Sequence, residues 1–194
     1  MSMPYDALSD ASDDALLVLY ANGDADAARL LTGRLAPRAL GYAQRVLGDR
    51  AEAEDVVQEA MLRLWRMAPD WRQGEAKVST WLYRVVANLC TDRLRKARTV
   101  GLDAAPEVED GQPGAVARLE QADRVRALDA ALAKLPERQR QAVVLRHLEG
   151  LSNPEIAEVM EIGVEAVESL TARGKRALAA ALAGRRAELG YGDD

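Results

Sequence analysis

Apolar residues recur along almost the whole chain at the three- and four-residue spacing of an α-helix, and no stretch alternates apolar with polar positions long enough to form a strand. The pattern predicts helices over 12–22, 24–47, 51–67 and 79–97, and again over 118–134, 137–149, 153–161 and 164–183. Between the two sets, residues 99–117 (TVGLDAAPEVEDGQPGAVA) hold Gly101, Pro106, Gly111, Pro113 and Gly114, which break helices. The carboxylates of Asp103, Glu107, Glu109 and Asp110 repel one another and favour an extended chain there. The expectation is an all-α protein of two small helical domains, residues 1–98 and 118–194, joined by a flexible acidic linker over 99–117.

Within 51–67, Val56, Val57, Ala60, Met61, Leu64 and Trp65 form a stripe suited to a core. The other side carries Asp55, Gln58, Glu59, Leu62, Arg63 and Arg66, so one leucine stands among charges. A lone exposed leucine is ordinary, but an apolar residue ringed by polar ones is also how a protein-docking face is built. The helix over 79–97 takes Ser79 or Thr80 as its cap and turns Leu82, Val85, Val86 and Leu89 inward. Its outer side presents Trp81, Arg84, Asn88, Asp92 and Arg95, with Tyr83, Arg93 and Lys96 beside them. Aromatic planes stack on bases, amides bond base edges, and Arg and Lys hold the backbone, which is the mixture that grips a single strand. The plainer alternative puts Trp81 and Tyr83 in the core and leaves the arginines as a solvated helix end.

Residues 151–170 (LSNPEIAEVMEIGVEAVESL) have the form of a helix-turn-helix. Ser152 and Glu155 make an S-x-x-E capping box with Pro154 in the first turn, and Ile156, Ala157 and Met160 are expected to face inward. Gly163 marks the turn, after which Val164, Val167 and Leu170 begin a second helix that runs into Arg173, Lys175 and Arg176. Such a helix can enter the major groove, its cations anchoring on phosphates. Glu165 and Glu168 near its start are repelled by phosphates but can accept from cytosine N4. The alternative is a helical hairpin with no DNA role.

The net charge of −5 by itself argues against nucleic acid. The average hides segregation, because residues 1–28 carry six Asp and no Lys or Arg, while Arg84, Arg93, Arg95, Lys96 and Arg98 are opposed only by Asp92. A second basic run, Arg173, Lys175, Arg176, Arg185 and Arg186, has no acid within it. Two basic surfaces on an acidic body suit two DNA contacts. One cysteine, Cys90, excludes an intramolecular disulfide, and with the one histidine, His147, it leaves no metal cage or nucleophilic pair. Cys90 is expected to act as a small buried hydrophobe and His147 as a surface or capping cation, with no metal, cofactor or catalytic residue. No stretch of about 18 apolar residues occurs and the acidic start is unlike a signal peptide, so a cytoplasmic protein without membrane insertion is expected.

Taken together, the blocks AEAEDVVQEAMLRLWR (51–66), VSTWLYRVVANLCTDRLRK (78–96), LAKLPERQRQAVVLRHLEGLSNPEIAEVM (132–160) and VEAVESLTARGKRAL (164–178) resemble the extracytoplasmic-function sigma factors of the sigma-70 family. The resemblance implies a transcription initiation subunit, not an enzyme, that directs core RNA polymerase to specific promoters. Residues 1–98 are then sigma domain two and 118–194 sigma domain four. Asp55, Gln58, Glu59, Leu62, Arg63 and Arg66 would dock on the β′ clamp helices of the polymerase, with further contact to its β subunit. Trp81, Tyr83, Arg84, Asn88, Asp92, Arg93, Arg95 and Lys96 would recognise and help open the −10 element. Glu165, Glu168, Ser169, Thr171, Arg173, Lys175 and Arg176 would meet the −35 element.

The acidic linker would follow the channel made for RNA, and an anti-sigma factor is an expected partner. The chain departs from the family pattern at Glu161, where Gly is common in the turn, and at Glu168 and Leu170, where basic residues are common. These departures bear on the −35 sequence, while Ile162, Val164 and Val167 are expected to keep the core. Rival readings are a sigma-like decoy for an anti-sigma factor, a helix-turn-helix repressor bound to a palindromic operator, and a small helical enzyme. The decoy should lack base-reading groups such as Trp81, Arg84, Asn88 and Arg93, and the enzyme has no convergent set of acids or ligands to use.

Overall fold

Side-chain caps set the helix starts of the first domain. Ser12 accepts from the Ala15 amide at 3.2 Å, Asp24 from the amides of Asp26 and Ala27, and Asp49 from that of Glu52, each satisfying donors that the first turn leaves open. A computed structural model describes residues 8–74, 76–99 and 116–183, with side chains in the last stretch from residue 123 onward. It gives α1 (Asp13–Ala21), α2 (Ala25–Leu47), α3 (Arg50–Met67), a 3₁₀ turn (Ala68–Asp70) and α4 (Val78–Thr99). There follow α5 (Val116–Ala133), α6 (Glu137–Val143) continuing into a π turn (Val144–Leu148), α7 (Asn153–Met160) and α8 (Val164–Ala183). Every described element is helical, as the periodicity predicts. The expected acidic linker lies almost wholly outside the described residues, as do residues 1–7 and the tail after Ala183.

The chain falls into two compact units, one carrying α1 to α4 and the other built mainly on the helices after it. In the first, α2 lies against α1, α3 and α4, and Leu31, Leu35, Tyr42, Val46, Val56, Leu64 and Val86 close the core between them. Each such side chain stabilises the fold by roughly 1.5–3 kcal/mol relative to exposure. Tyr20 stacks on Trp65 with ring centroids 4.6 Å apart. Arg34 donates to the carbonyls of Ala11 and Ser9 and pairs with Asp13 at 3.2 Å, while the Trp71 indole donates to Asp14 at 2.9 Å. These contacts tie the segment before α2 to the bundle.

The stripe on α4 is rotated from the expected one. Val78, Thr80, Leu82, Tyr83, Val86, Ala87 and Cys90 are buried, while Val85 and Leu89 are only half-buried. Because the helix begins at Val78, Ser79 and Thr80 lie in its first turn and do not cap it. The rotation carries Tyr83 inward against α2, where its ring meets Tyr42 edge-on at 5.7 Å. Cys90 is fully buried, as a small hydrophobe should be.

In the second unit α8 packs on α5 and α6. The approach to α6 is close at Gly174, where a Cβ would lie 2.6 Å from Val143 Cγ2 and 3.1 Å from the Gln139 carbonyl oxygen. The burial of Arg140 lowers its pKa, an effect offset in part by Glu137, and its Nη2 donates to the carbonyls of Ala133 and Leu135 past the end of α5. The helix expected over 137–149 loosens after Val143 into a π turn, with the Glu149 amide bonded to the Val144 carbonyl.

Candidate protein and nucleic-acid interfaces

On α3 the expected docking face is exposed. Asp55, Gln58, Arg63 and Arg66 are open to solvent, Glu59 is half-buried and ion-paired with Arg63 one turn on, and Leu62 is 48% exposed among them. An apolar side chain of that size left in water between charges supplies a small desolvation gain to any partner that covers it.

The outer face of α4 is also as expected in outline. Arg84, Asn88, Asp92, Arg95 and Lys96 are exposed and Trp81 is half-buried. Two details differ. Tyr83 is 4% exposed and belongs to the core, so it is removed from the strand-holding set: its ring is already covered by α2 and has no face free for a base. The arginines are not idle either, since Arg95 Nη2 donates to Asp92 at 2.8 Å and Arg93 Nη1 bonds Glu52 of α3, with Asp55 3.8 Å away. The bond to Glu52 raises the Arg93 pKa against a smaller effect of burial, and the charges of Glu52, Asp55 and Glu59 add to the rise. Glu52 is a neighbour of Arg93 that the sequence did not reveal, because nothing in the local pattern signals a contact 41 residues away.

The helix-turn-helix closes as its capping box predicts. Glu155 accepts from the Ser152 amide at 2.8 Å and Ser152 Oγ accepts from the Glu155 amide at 3.5 Å, while Ile156, Val159 and Met160 are buried. The turn itself is built differently. The left-handed residue is Glu161, at φ 52°, and the Ile162 amide bonds back to the Ala157 carbonyl in the six-to-one closure of a helix C-terminus. Gly163, expected to mark the turn, lies in it immediately before α8, its carbonyl accepting from Ala166 and Val167, but it is not the left-handed residue.

Of the three expected core positions, Val167 is fully buried and Ile162 half-buried, but Val164, the first residue of α8, is 40% exposed. Along α8, Glu165, Glu168, Arg173, Lys175 and Arg176 are exposed. Ser169 is half-buried and its hydroxyl accepts from Arg173 Nη2 at 2.6 Å, so it orients the arginine. The Thr171 hydroxyl oxygen is enclosed and cannot reach a groove, which removes it from the DNA-contacting set.

Beside α8, Leu128, Leu132, Val143, Leu148 and Leu178 line an apolar groove rimmed by His147 and Lys175. Burial and the nearby cations of Lys175 and Arg146 lower the His147 pKa. Among the described residues no group of three or more His, Cys, Asp or Glu is placed to hold a metal ion, and no helix is long and apolar enough to cross a membrane.

A family model for Sigma-70 region 2 matches residues 31–100 and one for Sigma-70 region 4 matches residues 125–178. The ECF RNA polymerase sigma factor SigM of Mycobacterium tuberculosis is 36% identical over 168 residues, covering 87% of this chain and 83% of its own length. The chain belongs to the ECF sigma factors. SigW of Bacillus subtilis is likewise 36% identical, over 69% of this sigma factor and 77% of SigW. The first model spans α3 and α4 and the second the helix-turn-helix, so the three exposed faces fall inside the matched regions of this transcription initiation factor.

Among solved structures, CnrH in complex with the cytosolic domain of CnrY is similar, with a TM-score of 0.66 at 27% identity, over 89% of this sigma factor and 97% of CnrH. The sigma factor RpoE of Bartonella quintana, in complex with the anti-sigma factor NepR, shares the fold at a TM-score of 0.66 and 20% identity, over 79% of this chain and 95% of RpoE.

Proposed function

We propose that this sigma factor works by binding alone, in three places. The α3 face of Asp55, Gln58, Glu59, Leu62, Arg63 and Arg66 docks on the β′ clamp helices of core RNA polymerase, which this factor also meets through the β subunit. The α4 face of Trp81, Arg84, Asn88, Asp92, Arg95 and Lys96 holds the separated strand of the −10 element. α8 lies in the major groove at the −35 element, with Glu165 and Glu168 toward base donors and Arg173, Lys175 and Arg176 on phosphates.

Residues 1–98 then act as domain two, 118–194 as domain four, and the acidic stretch 99–117 as a tether that can follow a path made for RNA. No step requires a catalytic residue or cofactor from this chain, and the site of action is the cytoplasm. CnrH was captured with a second protein, CnrY, and that supports an anti-sigma partner for this chain too.

The observation that carries this reading is the outer face of α4, where the half-buried Trp81 stands in line with exposed Arg84 and Asn88. A base stacked on an indole gains roughly 1–3 kcal/mol, enough to bias an opened strand but not to read a closed duplex. Trp81→Ala should therefore leave the polymerase complex on closed promoter DNA while abolishing strand opening, seen as loss of permanganate-reactive thymines at the start site. Equal opening by the variant and the wild type refutes the role of α4. Asp55→Ala with Leu62→Ala should lower affinity for core polymerase with helicity unchanged, and unaltered co-purification refutes the docking face.

A further inference from the structure

Arg93 lies on the DNA-facing side of α4 by sequence, yet its guanidinium is turned to the next helix. Nη1 bonds Glu52 and stands 3.8 Å from Asp55, and 29% of the arginine side chain remains exposed. The two carboxylates are more open, at 50% and 67%, so a cation from outside can reach them without disturbing the core. Asp55 is the first residue of the proposed docking face and Glu52 precedes it by one turn. One guanidinium thus offsets part of the charge of two acids at the edge of the docking face and is turned away from the DNA side. Arg95 differs, because its partner Asp92 is on its own helix and 71% of the Arg95 side chain is exposed, against 29% for Arg93.

We propose that Arg93 is a positioning residue that exchanges partners: in the free chain it occupies Glu52 and Asp55, and when a cationic surface of polymerase takes those carboxylates it swings out to a promoter phosphate. This rests on the proposed roles of α3 and α4. The exchange couples the two faces, since docking must first displace the internal cation and in doing so adds one to the DNA side. The rise in Arg93 pKa, caused first by Glu52, accords with a guanidinium held by those acids. A brace with no exchange makes the opposite prediction for docking, because removing it loosens the face.

The test uses the full chain with core polymerase and promoter DNA. Arg93→Gln removes the competitor, so it should bind core polymerase more tightly, by roughly two- to five-fold for one exposed ion pair. The same variant should lower the slope of log affinity against log salt for the holoenzyme on promoter DNA by about 0.7–0.9, one phosphate contact. Arg93→Lys keeps the charge and should restore both values. Weaker or unchanged polymerase binding by Arg93→Gln overturns the exchange, as does tighter binding with an unaltered salt slope. Failure of the wild-type chain to bind core polymerase at all instead refutes the docking reading, and the exchange with it. Circular dichroism of both variants separates either result from unfolding.

Discussion

Along α4 two of the cations, Arg93 and Arg95, stand beside carboxylates, whereas along α8 the acids come in the first turns and the cations in later ones. Arg95 is paired with Asp92 and Arg93 with Glu52, so two cations of the basic side of α4 are held by carboxylates of its own unit. On α8, Glu165 and Glu168 occupy the first two turns, Arg173, Lys175 and Arg176 come later, and Arg173 is held by a neutral partner, Ser169. Separation gives α8 a direction: phosphates repel its start and attract the later turns, so the acidic end is left to groups that donate, such as cytosine N4. On the proposed exchange, pairing gives α4 a threshold, because Arg93 serves a strand only after it leaves Glu52 and Asp55. A helix that grips closed duplex and one that holds an opened strand need different electrostatics, and the roles proposed for α8 and α4 match the difference between them.

The comparison breaks most severely at Gly174, which sets how closely α8 sits on α6. Gly174→Ala forces a methyl to 2.6 Å from Val143, and overpacking of this kind costs about 1–3 kcal/mol. Denaturant unfolding should show that loss in the second unit, with the unit carrying α4 unaffected. Next is the phosphate side of α8: Arg173→Ala with Lys175→Ala should weaken −35 binding on all sequences and lower the salt slope by about 0.9 for each contact removed. Arg95→Ala, tested the same way, should change the slope less, since Asp92 already offsets that charge.

A smaller effect of opposite sign is expected at the turn. Glu161 holds a left-handed conformation that glycine adopts freely, so Glu161→Gly should stabilise the fold by about 1 kcal/mol or less, read as a raised melting temperature. The smallest change is at His147. Its pKa is lowered from 6.5 in the folded chain, so the unfolded chain takes up the proton first as the pH falls through 6.5. The wild type should lose stability in that range relative to His147→Asn, while above it this group contributes no difference. Melting curves of the two chains across that pH range check the sign.

Much of this architecture was legible because its causes are local. The predicted helices agree with the observed ones to within one or two residues in most cases, since spacing and caps such as Asp24 and Asp49 depend on neighbours in sequence. The exposed sides of α3 and α8 were legible for the same reason, and the capping box of Ser152 and Glu155 formed as its spacing required. Where the local signal was ambiguous the outcome went the other way. Gly163 and Glu161 both lie in the turn, and glycine is the usual left-handed residue, but the six-to-one bond to Ala157 falls on the register that makes Glu161 take that role.

By itself the sequence determined the helices, the separation into two sets, the solvent sides of α3 and α8 and, through four ordered blocks, the family. Only the tertiary structure decided that Tyr83 faces Tyr42, that Arg93 belongs to Glu52 and Asp55, that Val164 is left uncovered and that Thr171 is enclosed. The physical reason is range. Helical periodicity and capping act over three or four residues, so they fix which positions share a side, whereas the choice between core and surface at the border of a stripe depends on which helix lies opposite. Tyr83 and Arg93 both sit at such borders, and the helices that claim them are contributed by segments about forty residues earlier in the chain.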